Sequence, residues 1–90
     1  MEYLDISYNL LANLPSDLLN GLSELTAIYL SSNKLTSLPA GLFNGLTNLE
    51  VIALDLNSLK YLDENLLLNL DNLMELWLEF NEKQNKLSRM

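Results

Sequence analysis

The 90-residue chain carries 12 acidic against 5 basic side chains, a net charge of -7, with 49% hydrophobic residues and neither cysteine nor histidine. That balance sets nucleic acid aside as a partner, since phosphate neutralisation by lysine and arginine leads such binding, and it disfavours anionic membrane surfaces. Disulfides, thiolate nucleophiles, imidazole bases and conventional zinc sites are excluded by composition. No cofactor is expected, and no run reaches the ~20 apolar residues of a membrane span.

Glu2 to Ser7 alternates, with Tyr3 and Asp5 outward and Leu4 and Ile6 inward, which is the period of a half-buried strand. Asn9 is expected to turn the chain, and Leu11 and Leu14 to point back into the same core. Pro15 ends extended pairing because it has no N–H to donate. Ser16 to Leu22 reads as a short irregular or helical return, with Gly21 supplying a bend before the next strand. Residues 25–48 repeat the scheme with Ile28 and Leu30 inward and Tyr29 outward. Residues 49–72 replace the proline with Asp63, placed to cap a helical turn holding Leu66, Leu67 and Leu70, so the third return is expected to be the most helical. A fourth strand is expected from Leu73 to Phe80, and residues 82–90 read as a polar cap over the last turn or a tail. The N-terminal residues show neither the basic region nor the continuous apolar stretch of a secretion signal. The compartment is therefore unassigned, and extracellular if the chain is a fragment of a secreted receptor-like protein.

Positions 24 apart match along the chain: Met1, Leu4, Ile6, Asn9 and Leu11, then Leu25, Ile28, Leu30, Asn33 and Leu35, then Leu49, Ile52, Leu54, Asn57 and Leu59, then Leu73, Leu76, Leu78 and Asn81. A fixed period marks a repeat architecture in which one copy cannot bury its leucines alone and stacking copies can. The pattern LxxLxLxxNxLxxLPxxLFxxLxx resembles the leucine-rich repeat family in its 24-residue typical class, familiar from Toll-like receptor ectodomains and variable lymphocyte receptors. The resemblance implies an α/β leucine-rich repeat solenoid. It would be a right-handed coil with a short parallel sheet on its concave face and irregular, 3-10 or helical returns. About 3.75 repeats, 1–24, 25–48, 49–72 and a partial 73–81, would fill residues 1–81 without cysteine caps. Asn9, Asn33, Asn57 and Asn81 would then stack. Buried amides must be hydrogen-bonded, so they read as an internal ladder rather than a row of ligands.

The outward positions form columns: Tyr3, Ala27, Val51, Glu75, then Asp5, Tyr29, Ala53, Trp77, then Ser7, Ser31, Asp55, Glu79, then Tyr8, Ser32, Leu56, Phe80. Exposed aromatics beside carboxylates make interface hot spots, although such rings also pack on cross-strand neighbours in a merely solvated face. The resemblance implies a non-catalytic module binding another protein on the concave face. The candidate partner-binding residues are Tyr3, Asp5, Tyr8, Tyr29, Asp55, Leu56, Trp77, Glu79 and Phe80, facing a partner with a basic surface. Asp55 and Glu79, roughly 5 Å apart on adjacent strands, would also suit a retaining glycosidase or a calcium site. A shallow face that cannot exclude water argues against catalysis, and two carboxylates alone rarely fill a calcium shell, so neither enzyme nor metal site is expected. The alternative to partner recognition is self-association through uncapped terminal repeats, with Leu4, Ile6, Leu76 and Leu78 at the contact and a two-fold dimer as the expected form.

Overall fold

The computed structural model describes residues 2–81; the expected start of the first repeat at Met1 and the expected polar cap or tail at 82–90 lie outside the described residues. Four strands, β1 (Glu2–Asp5), β2 (Leu25–Tyr29), β3 (Val51–Ala53) and β4 (Glu75–Trp77), form one sheet in chain order. Every pair is parallel, and each return advances the chain by one strand spacing, about 4.8 Å. Ala27 pairs with Val51 and Val51 with Glu75, while Tyr29 pairs with Ala53 and Ala53 with Trp77. The sequence period has become a translation between strands. The β1–β2 register follows the same rule from Tyr3 onward, with one irregularity between Glu2 and Tyr3.

The strands are shorter than alternation predicts. β1 ends at Asp5 rather than Ser7, and β4 covers only Glu75–Trp77 of the expected stretch from Leu73 to Phe80. Beyond the strand a backbone bend recurs in every turn: Tyr8, Ser32, Leu56 and Phe80 all sit in the left-handed region, at φ of 60, 58, 59 and 62°. Ladder bonding continues up to that bend. Ile6 N–H donates to Tyr29 O at 2.9 Å and Tyr8 N–H to Ser31 O at 3.0 Å, and the equivalent pairs repeat in the next two turns.

Ile28, Leu30, Leu35, Leu49, Ile52, Leu54 and Leu59 are fully buried and form the middle of the core. Each contributes roughly 1.5–3 kcal/mol relative to an exposed side chain. Leu4, Ile6 and Leu11 in the first turn, and Leu73, Leu76 and Leu78 in the fourth, are half-buried and pack against this core from either end. The asparagines tie the turns together. Asn57 Nδ2 donates to Leu30 O at 3.0 Å and Leu54 O at 3.1 Å, while its Oδ1 accepts from Leu35 N–H at 3.1 Å. Asn33 makes the same set with Ile6 O, Leu30 O and Leu11 N–H, and Asn81 with Leu54 O, Leu78 O and Leu59 N–H. Asn9 is exposed and, among the described residues, its side chain bonds only within its own turn, to Ile6 O and Ser7 O.

The first two returns are chains of turns. The third holds a single 3-10 turn, Glu64–Leu67, whose cap Asp63 accepts from Asn65 N–H at 2.9 Å, as the substitution of aspartate for proline predicts, although the turn ends before Leu70. Each return re-enters its strand through a left-handed residue: Gly21 at φ 82°, Gly45 at 80° and, in the same place, Asn69 at 67°. A Cβ at Gly45 would meet nothing within 4 Å, so only the backbone resists a side chain there. Gly45→Ala should therefore cost about 1–2 kcal/mol in thermal unfolding, and Gly45→Asn distinctly less, because asparagine tolerates this conformation.

Candidate functional site: the outward face of the sheet

One face of the sheet covers the leucine core and the other faces solvent. On the outer face the register sets Tyr3, Ala27, Val51 and Glu75 side by side, and beside them Asp5, Tyr29, Ala53 and Trp77. Successive outward residues on a strand lie roughly 7 Å apart. The large side chains Tyr3, Met74 and Phe80 are more than two-thirds exposed (70, 71 and 77%), and Trp77 is 41% exposed. Tyr29 is half-buried, its ring meeting that of Tyr3 edge-on at 6.2 Å between centroids and 76° between planes. Ala27 and Ala53 are buried although they occupy outward columns. A methyl group flanked by larger side chains on the neighbouring strands is overshadowed by them, so the face has a low middle and aromatic flanks.

Polar contacts fix several of these groups. Trp77 Nε1 donates to Glu75 Oε1 at 2.9 Å, which holds a carboxylate at the edge of the indole. Ser31 Oγ donates to Asp55 Oδ1 at 2.5 Å. Ser7 N–H donates to Asp5 Oδ1 at 3.0 Å, and this bond, with help from the Ser7 hydroxyl, holds the Asp5 carboxyl below its ordinary value of 3.8. The charged residues in the outward columns, Asp5, Asp55, Glu75 and Glu79, are all acidic. The two basic residues among those described, Lys34 and Lys60, lie outside the columns.

Of the sequence-derived candidates, Tyr3, Asp5, Tyr29 and Trp77 lie on the strands themselves. Asp55 and Glu79 follow at the strand ends, with Leu56 N–H donating to Glu79 O at 3.0 Å. Tyr8, Leu56 and Phe80 occupy the left-handed bend at one margin of the face, not strand positions, because the sheet has ended there. Glu75 was absent from the candidates, yet it orients Trp77; its signal was the Glu-x-Trp spacing, which puts both side chains on one face of a strand. Leu4 and Ile6 belong to the turn of the edge strand β1, and Leu76 and Leu78 to that of the edge strand β4. Among the described residues no group of three or more carboxylates is placed to hold a metal ion. No helix among them is long and apolar enough to cross a membrane.

A cavity of ≈ 230 Å³ lies elsewhere, on the second and third returns, lined by Ser37, Leu38, Ala40, Tyr61, Asp63 and Leu66. Its one carboxylate, Asp63, is the cap of the 3-10 turn.

The family model described as Leucine rich repeat matches residues 23–82, two-thirds of the chain. Among curated proteins no match to the chain is found. The matched span contains β2, β3 and β4 and the asparagines at 33, 57 and 81, while β1 lies before it. The chain belongs to the leucine-rich repeat family.

Proposed function

We propose that the chain is a non-catalytic recognition module whose protein partner docks on the outward face of the sheet. Leucine-rich repeat domains generally mediate protein–protein interaction and are typically non-catalytic. The observation that supports this particular face is the line of bulky residues at its margin. Tyr8, Leu56 and Phe80 adopt left-handed backbone while 83, 46 and 77% exposed. That conformation costs an ordinary side chain roughly 1–2 kcal/mol, and exposing a large apolar group to water recovers little of it. Strain and apolar exposure together concentrate at binding surfaces. The all-acidic charge of the columns calls for a partner surface of opposite sign.

Affinity capture on the immobilised chain, with bound proteins identified by mass spectrometry, tests the reading. Trp77→Ala and Tyr29→Ala should each weaken capture by about 30-fold or more, the loss of a 2 kcal/mol hot spot, with circular dichroism showing the fold retained. Undiminished capture by both variants would remove the sheet face from consideration.

A second reading, self-association, has its own support: among the described residues β1 and β4 each pair on one side only, with Leu4, Ile6, Leu76 and Leu78 half-buried beside those edges. Its expected form is a two-fold dimer, and light scattering that finds only the 10.2 kDa monomer at micromolar concentration defeats it.

A further inference from the structure

The chemistry around Trp77 narrows the partner. Glu75 and Trp77 are alternate residues of β4, so their side chains leave the same face, and Glu79 follows two residues later in the turn beyond the strand end. The bond from Trp77 Nε1 to Glu75 Oε1 holds one carboxylate at the ring edge. Asp55 follows the end of β3 at the position one repeat before Glu79, so the neighbouring turn adds a further carboxylate of the same sign, and like charges set opposite one another repel until a cation intervenes. Among the described residues no lysine or arginine forms an ion pair with any of these groups.

We infer that the segment docking on this face bears an arginine, its guanidinium seated on the Trp77 indole and bridging to the carboxylates of Glu75 and Glu79; this rests on the sheet-face reading above. An exposed aromatic face attracts a cation, and the flanking carboxylates supply acceptors in the plane of a group lying on it. Arginine suits the arrangement better than lysine. Its planar guanidinium stacks on an indole and still offers in-plane donors to carboxylates on either side, whereas an ammonium group is a compact, strongly hydrated point charge. The partner chemistry is therefore a cationic peptide segment with arginine at its anchor position.

The test is a phage-displayed random dodecapeptide library selected on the full chain, keeping clones that lose binding to Trp77→Ala. The expected result is enrichment of arginine over lysine in those clones. Their affinity should fall about tenfold or more on the double change Glu75→Gln/Glu79→Gln, and little on Asp17→Asn/Glu24→Gln, which removes the same charge from exposed positions off the sheet face. Glutamine at 75 keeps an acceptor for the indole N–H, and thermal melts check that every variant is folded. Trp77-dependent clones without arginine enrichment, or equal weakening by the two double changes, would overturn the arginine anchor while leaving the docking face standing. A selection that yields no Trp77-dependent clone overturns the anchor and the docking face together.

Discussion

Asn57→Leu should destabilise the protein by about 3 kcal/mol. The replacement removes the acceptor for Leu35 N–H, a donor at the fully buried Leu35, and the donor that Asn57 Nδ2 offers to Leu30 O and Leu54 O. The two carbonyls keep other partners, since Leu30 O still receives Asn33 Nδ2 and Leu54 O still receives Asn81 Nδ2. The orphaned N–H does not. A buried unpaired donor costs about 1–3 kcal/mol, and the lost bonds and the forced fit of leucine at a polar bend add to it. At roughly 4–8 °C per kcal/mol for a domain of this size, the melting temperature should fall by about 12–24 °C. Asn9→Leu is the internal control: Asn9 is exposed and, among the described residues, its side chain bonds only within its own turn, so its loss should cost less than about 1 kcal/mol. Thermal melts of the two variants compare the effects directly, and equal losses would show that the amide does not join one turn to the next.

Phe43→Ala should cost about 4 kcal/mol, at the upper end of what a core truncation does in a small domain. Phe43 is 1% exposed in the second return, in the place that Leu19 holds one turn earlier. Removing its ring leaves a cavity bounded by adjoining turns, which cannot close without shifting the register that places the strands. Phe80→Ala removes the same ring from the margin of the sheet face, where 77% of it is exposed, and should change stability by less than about 1 kcal/mol. Chemical denaturation of the pair separates a phenylalanine that holds the fold from one that faces outward.

The row from Tyr29 through Ala53 to Trp77 was legible in the sequence because a parallel sheet grown one strand per repeat turns a constant period into a constant register. Leucine spacing fixed which side chains turn inward, and the exchange of proline for Asp63 marked the one 3-10 return. The strand ends were not legible. Glycine and asparagine announce left-handed backbone, as Gly21, Gly45 and Asn69 do, whereas Tyr8, Leu56 and Phe80 are residues that normally avoid it. Nothing local predicts the bend there; the closing of each turn imposes it. Alternation likewise marked Ala27 and Ala53 as outward without showing that they would be buried, which depends on the larger groups beside them on other strands. The role of Glu75 was hidden for a related reason, since its bond to Trp77 reflects side-chain geometry rather than spacing alone.

The recognition surface exists only if residues one repeat apart meet across the sheet. Nuclear Overhauser contacts from the Ala53 methyl group, measured in solution, address that most directly. The account predicts contacts from this methyl to the Tyr29 ring on one side and to the Trp77 indole on the other. A methyl group in contact with neither ring would mean that the row, and the docking face built on it, is not there.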